Sequence, residues 1–343
     1  MKRRTFIKSS TLAGVGLMTS GLSFGNTNNS SVKNGLRVGI IGLDTSHATN
    51  IVRLLNAEDA SSDFAGYKVV ASYPQGSTDI TTSLERLPGY IEEVKKFGVE
   101  IVNTIPELIK KVDVAMLLSN DGKPHLEQAI PVFKAGKPTF VNKAVGGTLT
   151  DTFAIYQAAK EHKIPLFSSS SMRYMTNIEA IVSNQSVDKI LGAESFSPCY
   201  LEPTLPDFFW YGIHGIEALY AVMGTGCQTV ARTHTPDTDI AVGVWEGNRI
   251  GTYRGLRSGQ MGYGGNAFCE KGIKPLGEGG GMPALLKNII KMFQTGIPPV
   301  APEVTLEIYT FMEAADESKR RGGMLVSLAE TKQKALSQLK KTW

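Results

Sequence analysis

Residues 36–50 read Leu-Arg-Val-Gly-Ile-Ile-Gly-Leu-Asp-Thr-Ser-His-Ala-Thr-Asn. An apolar run, a glycine turn and the start of a helical period put Gly42, Asp44, Thr45, Ser46 and His47 at a helix N-terminus. Free backbone amides and the helix dipole favour anions there, so the first chemistry to consider is phosphate binding. The glycine fingerprint for a dinucleotide, G-x-G-x-x-G, survives only at Gly42. Asp44 stands at the second glycine position, where backbone normally approaches the diphosphate, and His47 at the third. A carboxylate ~4 Å from a phosphate charge costs about 4 kcal/mol at an effective dielectric near 20. Asp44 has a second use as a helix cap, accepting from the amide of Ser46 or His47. If it turns away instead, the Thr45 and Ser46 hydroxyls and amides are left for phosphate. A further alternative groups Asp44, His47 and His125 as a metal or polar-ligand cluster at the carboxyl edge of the sheet.

About twenty residues beyond such a turn, an acid commonly holds the ribose. Here the stretch reads Ala71-Ser72-Tyr73-Pro74-Gln75-Gly76-Ser77, without acid or arginine, which leaves Ser72 or Ser77 for that role.

Those residues need a scaffold, and the chain supplies one. Apolar runs at Leu36–Ile41, Lys68–Ser72, Val99–Val102, Val114–Leu118, Thr139–Val141 and Ile164–Phe167 alternate with helical periods. The helices expected between them are His47–Asn56, Gly89–Phe97, Ile105–Lys111, His125–Ala135 and Thr150–Glu161. Strands apolar throughout, each followed by a helix, imply a Rossmann-type parallel sheet covered on both faces. From about Ser170 the pattern changes to an α+β arrangement. Strands are expected at Ala193–Cys199, Ala241–Trp245 and Ile250–Arg254, the last two joined as a hairpin by Glu246-Gly247-Asn248. Helices are expected at Ile213–Met223, Ala284–Phe293 and Glu303–Ser318. The glycine-dense stretch from Gly259 to Gly281 reads as an irregular loop or lid. The expected division is a leader and spacer over 1–30, a nucleotide-binding α/β domain over 31–168, and an α+β open-sheet substrate and oligomerisation domain over 169–343.

The chain opens Met1-Lys2-Arg3-Arg4-Thr5-Phe6-Ile7-Lys8 and continues weakly apolar to about Gly25, the pattern of a twin-arginine export signal. Export to the periplasm is the expected localisation, with no membrane attachment afterwards. The 343 residues carry a formal net charge of +4, and the leader holds four basic residues and no acid, so the remainder is neutral. Neutrality without a basic run argues against nucleic acid as a partner. Three cysteines, Cys199, Cys227 and Cys269, are too few for a disulfide framework, and no zinc-ligand spacing occurs.

Several segments resemble, in order, the Gfo/Idh/MocA family of oxidoreductases, which includes glucose–fructose oxidoreductase and inositol dehydrogenases. They are Val38-Gly39-Ile40-Ile41-Gly42, then Asn120 and His125 after the fourth strand, then Ala135-Gly136-Lys137-Pro138-Thr139-Phe140-Val141-Asn142-Lys143. Gly212-Ile213-His214-Gly215-Ile216-Glu217 is similar to the family's substrate-domain helix, and Glu313–Ser318 to its closing helix. The resemblance implies a tightly held NAD or NADP and oxidation of a secondary alcohol of a sugar or cyclitol. Lys143 and His214 then hold the catalytic positions. A histidine near neutrality takes the hydroxyl proton, and an ammonium stabilises the alkoxide. Gly42, Asp44, Thr45, Ser46, Ser72, Asn120 and His125 fall to the cofactor, while Arg173 and Tyr211 fall to the substrate. A homo-oligomer is also implied. Where relatives carry Glu and Pro around the lysine, this chain has Asn142 and Ala144. A cis bond after the lysine would cost about 2.5–4 kcal/mol without proline. Trp210 stands where many relatives have an aspartate. The alternatives are a carbohydrate-binding or scaffold protein without cofactor, and a redox-assisted glycosidase or epimerase.

Overall fold

A computed structural model describes residues 34–278 and 281–342. The leader and the spacer lie outside the described residues. Six strands, β1 (Arg37–Ile41), β2 (Lys68–Tyr73), β3 (Glu100–Ile101), β4 (Val114–Leu117), β5 (Thr139–Val141) and β6 (Leu166–Phe167), form one parallel sheet in the order 3-2-1-4-5-6. That is the doubly wound order, whose strand reversal between β1 and β4 opens a crevice at the carboxyl ends. Its crossovers carry α1 (Ser46–Asn56), α2 (Thr81–Lys95), α3 (Ile105–Lys111), α4 (His125–Lys134) and α5 (Leu149–Glu161). β4 and β5 are buried at every position, as a strand covered on both faces must be. α2 begins eight residues before the expected Gly89, because neither Gly89 nor the internal Pro88 stops it.

After the short α6 (Ile178–Ser183) comes a seven-stranded mixed sheet. Its members are β7 (Ile190–Pro198), β8 (Cys227–His234), β9 (Thr238–Trp245), β10 (Arg249–Leu256), β11 (Gly264–Cys269), β12 (Gly272–Pro275) and the two-residue β13 (Val326–Ser327). The order is 12-11-7-10-9-8-13, with β7 and β10 parallel and the other pairs antiparallel. The long helices are α7 (Ile213–Met223), α8 (Gly281–Thr295), α9 (Pro302–Arg320) and α10 (Leu328–Thr342). Strand burial alternates, and inward Tyr253 and Trp245 are fully buried beneath α7 and α9. The β9–β10 connection lies at Glu246–Asn248, as expected.

The stretch from Gly259 to Gly281 corrects the expectation of an irregular loop. It contains the β11–β12 hairpin, added antiparallel to the edge of β7. Gly264 and Gly265 have no side chain to show the period of two, so pairing with β7 supplies what the sequence does not display. α8 also departs from the expected division of labour, because it returns to the first sheet. Leu285, Leu286, Ile289, Ile290 and Phe293 share a core with Val38, Ile40, Ile51 and Leu55, and Phe293 stacks on Tyr67 at 6.2 Å.

Candidate active site

Lys143 leaves the end of β5 into a tightly held segment. The Asn142 amide donates to the Leu117 carbonyl at 2.8 Å, and the Val145 amide donates to the Tyr309 hydroxyl of α9 at 2.7 Å. His125 of α4 fixes the Val145 carbonyl through Nδ1 at 3.1 Å. The Lys143–Ala144 peptide is cis, with alanine in place of proline. So held, Lys143 is buried, its Nζ donating to Asn120 Oδ1 at 3.4 Å and to the Trp210 carbonyl at 3.3 Å. Nζ also lies 5.3 Å from the Trp210 ring centre and 5.5 Å from that of Tyr211. Aromatic faces stabilise a cation without hydrating it. Burial pulls Lys143 down to about 8, against the opposing pull of the Asp44 carboxylate.

His214 comes from the first turn of α7, which follows a π-helical turn over Phe208–Gly212. An irregular helical turn of this kind re-aims side chains. His214 Nδ1 and Ser170 Oγ share a 2.7 Å hydrogen bond, and the imidazole is held well below its usual range by burial and then by the Lys143 ammonium. With Nδ1 engaged by Ser170, Nε2 is the nitrogen left for a ligand. The rings of Tyr211 and Tyr263 meet His214 edge-on at 5.7 and 6.2 Å, and Tyr200 meets Tyr211 at 5.0 Å. Tyr200 and Tyr263 remain exposed. A neutral imidazole, a buried ammonium and amphipathic rings suit a polyhydroxylated ligand.

One turn further along α7, Glu217 accepts from Arg173 Nε at 2.5 Å and from Ser169 Oγ at 3.0 Å. Arg173 therefore braces the loop after β6 against α7 through an ion pair, the alternative to a grip on substrate. The turn before α7 is anchored from below. Asp207 accepts from Arg232 at 2.7 Å and from Lys319 at 2.7 Å, while Arg232 also binds Asp239 at 2.8 Å and pairs with Asp316. Arg232 is fully buried, and its guanidinium lies 4.0 Å over the Phe208 ring.

The cofactor the resemblance implies is a nicotinamide dinucleotide, whose diphosphate belongs at the β1–α1 turn. Gly42 keeps its part, with φ of +86° and a Cβ that would lie 2.5 Å from the Ser119 nitrogen. The rest differs from expectation. Thr45, not Asp44, caps α1, its Oγ1 accepting from the His47 amide at 3.3 Å. Asp44 is buried and turns into the crevice, where it accepts from the amides of Ser77 and Asn120 at 3.2 Å each and from Ser119 Oγ at 3.5 Å. A Cβ on Gly76 would lie 2.6 Å from the Asp44 carboxyl carbon, so the loop after β2 rests directly on that carboxylate. Ser72 is buried in the sheet with its hydroxyl on the Ile40 carbonyl at 3.1 Å, which takes it from the ribose role. Ser77 donates instead to Asp121 at 3.0 Å. Ser46 is exposed at the first turn of α1. With Asp44 on the Ser77 and Asn120 amides, these residues do not fit a diphosphate.

The alternative metal cluster is also corrected. His47 Nδ1 turns to Asn142 Oδ1 at 3.1 Å and His125 Nδ1 to the Val145 carbonyl at 3.1 Å. Among the described residues, no group of three or more His, Cys, Asp or Glu is placed to hold a metal. The three cysteines are free and buried. Ser170 and the Tyr200–Tyr263 aromatics are site residues that sequence reasoning did not assign, and His47 and Trp210 were noted without a place beside Lys143 and His214. His47 at a glycine position was the available signal; the others meet only in three dimensions.

No family model matches the sequence, and no curated protein matches it. Solved structures do. A probable dehydrogenase from Thermotoga maritima is 20% identical, with 86% of this chain and 100% of that chain covered and a TM-score of 0.67. The scyllo-inositol dehydrogenase of Lactobacillus casei, solved with NAD(H) and scyllo-inositol, is 15% identical over 87% of this chain and 100% of its own, with a TM-score of 0.68. The myo-inositol 2-dehydrogenase of Lactobacillus plantarum is 17% identical over 86% and 99%, with a TM-score of 0.67. The chain thus has the two-sheet α/β fold of these dehydrogenases.

Proposed function

We propose that this protein is an enzyme acting on a hydroxyl-bearing small molecule of the sugar or cyclitol class. In this reading Lys143 and His214 manage the proton at one reacting oxygen. The observation that carries it is the buried Lys143 ammonium beside a neutral imidazole, on a floor of Trp210 and Tyr211. As a hydroxyl is deprotonated, the imidazole takes the proton and the ammonium stabilises the oxyanion; in reverse, the imidazolium returns the proton to that oxyanion. The fold neighbours, inositol dehydrogenases among them, support oxidoreductase chemistry at that carbon.

A second reading, a carbohydrate-binding protein without turnover, is favoured by one observation, the bonding of Asp44 to two backbone amides where a diphosphate would lie. A panel of sugars, cyclitols and their keto forms, assayed with and without added NAD and NADP, separates the two. Turnover that falls at least ~100-fold in His214→Ala and in Lys143→Met supports the enzyme. Binding without turnover supports the second reading.

A further inference from the structure

The β1–α1 mouth has a property independent of the proton chemistry at Lys143. Several groups there that could receive a diphosphate already have partners in the chain. The Asn120 amide donates to Asp44 Oδ1 and the Ser77 amide to Asp44 Oδ2, so the carboxylate takes the hydrogen bonds a phosphate oxygen would take. The Thr45 hydroxyl caps α1. The loop after β2 closes against this anion, since nothing larger than hydrogen fits on Gly76. It is then fastened to the loop after β4 by Ser77 Oγ on Asp121 and by Lys123, which reaches Asp79 at 2.7 Å and Asp121 at 3.5 Å. The remaining buried cation, Lys143, is directed to Asn120 Oδ1 and the Trp210 carbonyl. His125 is buried and held below its ordinary range, so it adds no positive charge near neutrality.

We infer that Asp44 is a built-in anion: with the 74–80 loop it pins, it fills the diphosphate seat and bars exchangeable nicotinamide dinucleotide. The Asp44 carboxylate keeps its charge while holding two amides, so an incoming diphosphate meets repulsion and loses those two donors.

The test uses the full chain produced with its leader. Protein is denatured to release nucleotide for chromatography, and native protein is titrated with NADH and NADPH by fluorescence. Wild type is expected to release none and to show no binding below ~1 mM. Asp44→Gly is expected to bind at least ~10-fold more tightly. In that variant the Ser77 and Asn120 amides should also exchange faster with deuterium. Asp44→Asn, which keeps the shape and removes the charge, guards against misfolding and should also bind more tightly than wild type. Stoichiometric nucleotide in wild type, micromolar NADH or NADPH binding by wild type, or unchanged affinity in both variants overturns the inference. None of these outcomes depends on turnover at Lys143, so failure here is distinct from failure of the proposed function.

Discussion

Lys143 combines two features that rarely coexist without a functional reason, burial and a cation. Burial lowers its pKa from 10.5 to about 8. The ammonium is therefore present below pH ~8 and lost as pH rises through that value, so any activity that needs it should fall on the alkaline side of pH ~8 rather than near 10.5. A pH–rate profile of the turnover found in the panel checks this. His214 is neutral through the whole neutral range, because burial and Lys143 both oppose its protonation. The same burial makes Lys143 unfavourable for folding at pH 7, where the group is charged in both states. The depression from 10.5 corresponds to about 3 kcal/mol of penalty. Lys143→Met should accordingly melt no lower than wild type at pH 7 while losing function. A large fall in its Tm would show that the lysine is structural. Lys143 and His214 were legible in the sequence through their neighbours, as were Gly42 and the anomaly at Asp44. What Asp44 does was not legible, because its partners Ser77 and Asn120 come from loops after two other strands.

At the scale of elements, the site depends on the irregular turn that launches α7. Its start is tied to the second sheet and α9 by Arg232, whose guanidinium meets Asp207, Asp239 and Asp316. Burial pushes the Asp316 carboxyl up to about 7, so removing the guanidinium leaves an expensive group without its main partner. Arg232→Met should destabilise the fold by about 3–5 kcal/mol, measured by denaturant unfolding, and loosen His214 as well. No short motif announces this network, because its members are spread between residues 207 and 319. Helices with strong periodicity were predictable: Ile105–Lys111 and Ile213–Met223 have the expected bounds. Strands β8, β11 and β12 were not. β11 owes its state to pairing with β7, and its glycines hide the alternation by which a strand is recognised.

For the molecule as a whole, the order of β1 to β6 was readable because βα crossovers admit few arrangements. The return of α8 to the first sheet was not, since an amphipathic helix carries no address for the surface it covers. Phe293 is buried against Tyr67 and shares its core with Ile51 and Leu55. Phe293→Ala should cost about 3–5 kcal/mol in denaturant unfolding. If it costs less than about 1 kcal/mol, α8 is not an integral part of that core. Among the described residues, no helix is long and apolar enough to cross a membrane.

Whether Lys143 is a buried ammonium beside the ligand can be measured directly. Lysines methylated with 13C-formaldehyde report their own titration by NMR. One resonance, absent from Lys143→Met, should titrate near pH 8 and move when the sugar or cyclitol found in the panel is added. A Lys143 resonance that titrates near 10.5, or ignores that ligand, would contradict that placement.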